Sequence, residues 1–168
     1  IDESQRGGEV PSDYVQRMAR EKVGAVATHY PPPAYAVLAA DTVVVIDAMV
    51  LGKPQDRVDA LDILARLSGR RHSVLTAVCL CSATGMKSAL VETEVEFITL
   101  SDEICAAYLD TTEPWDKAGA YGIQGLAGAF VRSIKGSYTN VVGLPLCETW
   151  QLLSASNIAT ALNKVVPT

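Results

Sequence analysis

The sequence predicts an α/β domain built on a mixed sheet. Strand-like stretches, alternating or continuously apolar, interleave with stretches whose apolar residues recur at helical spacing, without a strict βαβ repeat. The chain has 168 residues, the size of one domain and long enough to bury a core. Its composition, 49% hydrophobic and 20% charged, is ordinary for a globular protein and carries no bias toward disorder.

Pro31-Pro32-Pro33 is the strongest local break and reads as a loop between two elements. Before it, Ser12 is placed to cap a helix running to about Ala27, with Val15, Met18, Ala19 and Val23 on one face. After it, Tyr35–Asp47 is apolar and β-rich with one charge at its middle, Asp41. That pattern suits a buried strand interrupted by something functional. Asp56 opens a second helix, in which Val58, Leu61, Leu64 and Leu67 recur at helical spacing and which Gly69 can end. Ser73–Ser82 is an apolar strand, and a turn at Ala83-Thr84-Gly85 leads to a second strand, Lys87–Thr99. There Val91, Thr93, Val95 and Phe97 alternate with Glu92, Glu94 and Glu96. The glutamate row reads as a solvated face, because side chains two apart on an open strand do not converge on an ion. Ser101 caps a short helix to about Leu109. Gly119–Gly136 is glycine-rich with a short strand near Ala129–Ile134, and Leu146–Leu162 reads as an amphipathic closing helix.

Charge and patterning narrow the function classes. A formal net charge of −5 argues against a general nucleic-acid surface, which needs clustered basic residues. A small anionic ligand stays open, since it needs only a few cations placed locally. The longest apolar stretches, such as Ala36–Ala40 and Val43–Ile46, are too short to span a bilayer. Ile1–Gly8 is polar and has no signal-peptide pattern, so a cytoplasmic location is expected. Cys79, Cys81, Cys105 and Cys147 form no C-x-x-C and read as buried reduced thiols; Cys79 and Cys81 point the same way from one strand.

Asp41 stands out on physical grounds alone. A carboxylate inside an apolar strand costs several kcal/mol unless paired, hydrogen-bonded or bound to a cation. The structural alternative is an aspartate at the strand's exposed end, bonded to a loop. Lys53-Pro54 can place an ammonium at a turn beside the strand end, or be an ordinary surface turn. Lys22, late in the first helix, is equally compatible with a solvated cation favoured by the helix dipole. In Asp116–Gly125 the glycines allow backbone to approach a ligand closely, and the Gln124 amide can both donate to and accept from a base edge. Tight turns use the same glycines.

Taken in order, Ala19-Arg20-Glu21-Lys22, Ala40-Asp41-Thr42-Val43-Val44, Gly52-Lys53-Pro54, Leu67-Ser68-Gly69-Arg70-Arg71-His72, Glu113-Pro114, Asp116–Gly125 and Gly136-Ser137-Tyr138 through Val142-Gly143-Leu144-Pro145-Leu146 resemble the Maf family of nucleoside triphosphate pyrophosphatases. The resemblance covers nearly the whole chain. It implies a strongly twisted sheet flanked by helices in a single domain, residues 1–168, a fold shared with the house-cleaning pyrophosphatases of inosine-type purines. It implies hydrolysis of a nucleoside triphosphate to the monophosphate and pyrophosphate with a divalent cation, Mg²⁺ or Mn²⁺.

The Gly-Ile-Gln-Gly wording matches the family branch acting on dTTP and UTP, and modified pyrimidine nucleotides remain open as cellular substrates. By the same resemblance Asp41 is the general base or metal anchor, Lys22 and Lys53 contact phosphates, Thr42 and Gln124 tune base choice, and Glu3 lies near the metal. His72 fits the family pattern and reads as structural, His29 as a loop residue. Family members begin with a strand and a Ser-x-Ser-Pro-Arg-Arg loop, and these residues start after that segment. The expected partner is a pyrimidine nucleoside triphosphate, with no nucleic acid and no membrane; a homodimer stays open. Two other readings are kept. One is a nucleotide-binding regulator of cell division without turnover, and the other is a pyrophosphatase for inosine-type purine triphosphates.

Overall fold

Pro11, rather than Ser12, opens the first helix in the structure, a computed structural model that describes residues 1–163. Helix α1 spans Pro11–Ala27, with Val10 as an N-cap that makes no side-chain capping bond. Proline at the first helical position loses no intrahelical N–H bond and arrives with φ already set, so the expected Ser12 cap is replaced by a proline start. Val15, Met18, Ala19 and Val23 are buried as their spacing required.

Strand β1, Val37–Ile46, carries Asp41 at its middle. Asp47 and Ala48 follow at φ 51° and 61°, the two positive values of a tight hairpin turn, and the chain returns as β2, Met49–Leu51. Arg70 holds the turn with bonds of 3.1 and 2.7 Å to the Asp47 carboxylate. Helix α2, Arg57–Leu67, is capped by the Asp56 side chain as expected, but Val58 is 76% exposed. The buried face is Ala60, Ile63, Leu64 and Leu67. A row spaced by threes drifts around the helix, and over the nine residues from Val58 to Leu67 it turns through about 180°. Strands β3 (Arg71–Ser82) and β4 (Gly85–Phe97) form a long hairpin, and helix α3 (Asp102–Leu109) is capped by Ser101. After three short 3-10 turns come β5 (Val131–Lys135), α4 (Tyr138–Val142) and α5 (Leu146–Ser154). Helix α5 stops well before the expected Leu162. Asn157, at φ 57°, donates to the Ser154 carbonyl at 3.1 Å, and Ile158 donates to Leu153 at 3.0 Å, the bond pair of a left-handed helix stop.

The expected α/β class holds, and helices flank one five-stranded sheet of order β2-β1-β3-β4-β5. Every described neighbouring pair is antiparallel, where a mixed sheet was expected. Hairpins join β1 to β2 and β3 to β4. The helical crossover α2 links β2 to β3, which run the same way but lie on either side of β1, so no parallel neighbours arise.

The sheet separates two cores. On one face α1 packs on Val37, Val43, Leu75, Ala77 and Cys79. On the other, Val44, Ile46, Val74, Val95 and Phe97 meet α2, α3 and the loops before β5. Cys79 and Cys105 are buried, but Cys81 is half-buried and Cys147 exposed, so the expectation of buried thiols holds for only two of the four. The glutamate row is solvated as expected. Arg71 lies 3.5 Å from Glu94 and 3.3 Å from Glu96, and Ser73 donates to Glu92 at 2.6 Å. Among the described residues no helix is long and apolar enough to cross a membrane.

His72 is structural. It is buried, its Nε2 lies 2.8 Å from the Tyr121 hydroxyl, and its ring packs edge-on against Phe97 and Tyr121. Nδ1 has no described partner that could share a second proton. Burial pushes the imidazole down from 6.5 to about 4. The unfolded chain therefore binds the proton first as pH falls, and stability declines across that window by something on the order of 3 kcal/mol. Denaturant titrations at stepped pH should show this decline already above about pH 5, before most carboxylates titrate. His72→Gln should flatten that part of the curve. Parallel curves for parent and variant would assign the pH dependence to another group.

Candidate active site

The alternation of β1 sends its odd-numbered side chains toward α1, and Asp41 goes with Val37 and Val43 to that face. Lys22, in the second half of α1, donates from Nζ to Asp41 Oδ1 at 2.5 Å, and the same nitrogen lies 3.3 Å from Glu3 Oε1. One ammonium thus joins two carboxylates. The Asp41 side chain is 15% exposed and that of Glu3 63%. Burial lifts the Asp41 carboxyl above the ordinary carboxylate range and outweighs the neighbouring Lys22, with the Glu3 charge pushing the same way and Lys53 opposing. For Lys22 burial is the strongest single influence and disfavours the ammonium. The hydrogen bond and charge of Asp41, together with Glu3, overcome it and hold the lysine above its usual value.

Glu3 reaches this cluster because the segment before α1 is fastened to the helix. Arg17 grips the Glu9 carboxylate with bonds of 2.7 and 2.8 Å and donates to the Ser4 carbonyl at 2.9 Å. One turn earlier on the same helix face, the Tyr14 hydroxyl donates to the Glu3 carbonyl at 2.7 Å. The sequence reading gave Arg17 and Glu9 no role. Only the i, i+3 spacing of Tyr14 and Arg17 on α1 hints at one.

The even-numbered residues of β1 face the other way, and there Thr42 and Val44 help line a cleft of about 640 Å³. That volume is within the range of small-molecule sites. Lys53, from the turn after β2, lines it too, as do Gly122–Gly125 and Val141–Gly143. Thr42 Oγ1 lies 2.9 Å from Thr76 Oγ1, which donates to the Asn140 carbonyl at 3.0 Å. Asn140 is fully buried and donates to the Val74 carbonyl and Thr93 Oγ1, both at 2.9 Å, so it pins α4 and the residues after it against the cleft. The glycine-rich loop is tied to the sheet at Gly119, whose N–H donates to the Gly52 carbonyl at 2.9 Å. Gly119 has φ 70°, and a Cβ there would lie 2.8 Å from Val44 Cγ2, so only glycine lets the loop approach this closely.

The residues singled out in the sequence fall into two adjoining groups. Glu3, Lys22 and Asp41 cluster on the α1 face, and Thr42, Lys53 and Gln124 line the cleft. Lys53 serves both, since it lines the cleft and its charge acts on Asp41. Gln124 is exposed and makes no hydrogen bond to another described residue, so its amide is free to meet a ligand. His72 is not part of the site. Among the described residues no three His, Cys, Asp or Glu side chains gather in a metal-binding group. A half-buried base candidate beside a lysine, adjoining a cleft with a free amide and a second lysine, can bind a polyanion and take a proton next to it.

The chain's sequence matches a known family and named relatives. The family model described as Maf-like protein matches residues 1–156. The dTTP/UTP pyrophosphatase of Shewanella oneidensis is 55% identical over 161 residues, covering 94% of this chain and 82% of that protein. The dTTP/UTP pyrophosphatase of Bordetella parapertussis is 52% identical over 161 residues, covering 94% of this chain and 78% of its own. That of Hahella chejuensis is 50% identical over 159 residues, with 94% and 79% covered. With a family match over nearly all of its length and relatives at half identity or better, the chain belongs to the Maf-like protein family.

Proposed function

We propose that this protein hydrolyses pyrimidine nucleoside triphosphates, dTTP and UTP, to the monophosphate and pyrophosphate. The observation that carries the reading is the pairing of the Asp41–Lys22–Glu3 cluster, with Asp41 half-buried in it, and the cleft holding Thr42, Lys53 and Gln124. The names of the relatives at half identity or better support the same substrates.

In this mechanism the base enters the cleft, where the Thr42 hydroxyl and the Gln124 amide meet its polar edge and the valine side chains cover its face. The phosphates extend past Lys53 toward Lys22. Water attacks the α-phosphorus and its proton passes to Asp41, while the bond from the α-phosphorus to the bridging oxygen breaks and pyrophosphate leaves. A carboxyl lifted by burial is a better proton acceptor than an ordinary aspartate. Lysines placed in advance around the phosphates stabilise the charge that develops on the leaving group.

Glu3 and Asp41 already share one cationic centre, the Lys22 ammonium. Two hard carboxylate donors completed by substrate phosphates suit Mg²⁺, which is commonly held in that way rather than by a full protein cage. Glu3 and Asp41 would hold such an ion, and when bound it supplies neutralisation of phosphate charge.

The test is pyrophosphate release from UTP, dTTP and ITP compared side by side. Preference for the two pyrimidines supports the reading. Preference for ITP would move the protein to purine house-cleaning, and binding without release would make it a regulator. Gln124→Glu should then weaken UTP by about tenfold or more, because a carboxylate cannot donate to a base carbonyl and leaves it unpaired. Inhibition by inorganic pyrophosphate should change little. A similar loss for both ligands would show that Gln124 does not read the base.

A further inference from the structure

We propose that Glu113 is a positioning residue for base selection: its carboxylate latches the turn that carries Gln124, and it acts through that turn. The inference rests on the functional reading above and extends it to how the base-reading amide is held.

Gln124 has no bond of its own to fix its direction, so the backbone around it must do so. That backbone is fastened by Glu113, which borders the same cleft and turns its carboxylate toward the protein. Glu113 Oε2 accepts from the Leu126 N–H at 2.7 Å, and Oε1 accepts from the Ala127 N–H at 3.1 Å and from the Tyr108 hydroxyl at 2.8 Å. Leu126 and Ala127 begin the 3-10 turn Leu126–Phe130, whose first N–H groups lack partners within the turn. A carboxylate facing such groups forms strong charge-assisted bonds. Burial alone would raise the Glu113 carboxyl; the Ala127 and Leu126 N–H groups and the Tyr108 hydroxyl outweigh it and hold it below its usual value. Tyr108 is itself buried and packs edge-on against Phe130 at 5.0 Å, so the latch is anchored in the core.

The glycines record how tightly the loop closes on this carboxylate. A Cβ at Gly125 would lie 2.1 Å from Glu113 Oε2, inside any allowed contact, and one at Gly122 would lie 2.8 Å from Lys117 Cδ. Gln124 therefore stands between glycines whose missing side chains make room for Glu113 and Lys117. Any residue but glycine at 125 must displace the latch.

The experiment measures kcat and KM for pyrophosphate release from UTP and CTP, and inhibition by inorganic pyrophosphate, with a thermal melt of each preparation. It compares the parent with Glu113→Ala, Glu113→Gln, Gly125→Ala, and Gly125→Ala combined with Glu113→Ala. Glu113→Ala should raise KM for UTP and lower the UTP-over-CTP preference by about tenfold each, the effect of an unmatched polar edge. The kcat and the pyrophosphate inhibition should stay within about threefold of the parent. Glu113→Gln keeps an acceptor oxygen and should fall between. Gly125→Ala should reproduce the Glu113→Ala pattern, and the double variant should be no worse than Gly125→Ala alone, because the group the methyl collides with is gone. If Glu113→Ala does not fold, Glu113→Gln and Gly125→Ala carry the same comparison. Equal losses for UTP and pyrophosphate, retained base preference, or additive effects in the double variant would each overturn the latch. A parent that releases no pyrophosphate from UTP overturns the functional reading, and the latch with it; an active parent whose variants keep the parent's base preference overturns the latch alone.

Discussion

Asp41→Asn should lower pyrophosphate release by about 10²–10⁴-fold, the range a general base supplies, while the protein folds as well as the parent. Asparagine keeps the shape of the side chain and one acceptor oxygen for Lys22 but removes the negative charge and the basicity. Asp41 is the one charge in the interior of β1, between Ala40 and Thr42, and its side chain is only 15% exposed. Its carboxyl is raised above the unfolded value, chiefly by burial. The folded protein therefore binds this proton more readily than the unfolded chain does, and ionised Asp41 weakens the fold at every pH above its raised pKa. A neutral asparagine relieves that strain near neutral pH, so the melting temperature should hold or rise. The gain should vanish in acid, where the parent's Asp41 is protonated in both states. Steady-state release and a melt of the same preparation decide the matter. A variant within about threefold of parent turnover removes Asp41 from the chemistry. A variant that loses activity only in proportion to its unfolded fraction makes Asp41 structural.

What could be read from the sequence follows from how local each signal is. A single carboxylate in an apolar strand is a local anomaly, so Asp41 was legible from its neighbours alone. Lys22, Lys53 and Gln124 look like ordinary surface or turn residues one at a time and Thr42 like an ordinary strand residue, and only their order across the whole chain brought them together. The alternation of β1 puts Asp41 and Thr42 on opposite faces of the sheet, yet Lys53 connects the two groups through the hairpin that the spacing from Asp41 to Lys53 allowed. Its turn is Asp47-Ala48 without glycine, and its return strand is only Met49–Leu51. Strand pairing is a long-range property, which is why local sequence pattern left the direction of the strands open and a mixed sheet was expected where the pairs are antiparallel. Glu113 escaped for the same reason. Its partners Leu126 and Ala127 lie 13 and 14 residues away, and nothing near Glu113 in the sequence points to them. The two glycines around Gln124 were the available clue, but glycine in a loop signals close approach without naming what approaches.

Lys22→Met should separate the role of the shared cation from that of the base. Lys22 neutralises Asp41 at 2.5 Å and Glu3 at 3.3 Å from one nitrogen. Methionine keeps the apolar stem packed against its neighbours but leaves two carboxylates facing each other. With the ammonium gone, the influences that remain on Asp41 are burial and the Glu3 charge, which raise its carboxyl, and Lys53, which opposes them. Asp41 should then hold its proton to higher pH. Loss of a preorganised charge at the phosphates should lower turnover near neutrality by about 10²–10³-fold. The acid limb of the rate profile should move to higher pH, and raising the pH should recover part of the activity. Asp41→Asn, which has no carboxyl to ionise, should show no such recovery. The stability effect has a definite sign as well. The folded protein raises the Lys22 pKa above 10.5, so the stabilisation it brings is fully present at neutral pH and is lost as pH climbs through the raised value. Lys22→Met should therefore melt below the parent near neutrality, and the gap should narrow in strong base. The decisive measurement is the pH profile of kcat for parent, Lys22→Met and Asp41→Asn. An unshifted acid limb in a folded Lys22→Met would mean that Lys22 steadies α1 against β1 and does not tune Asp41.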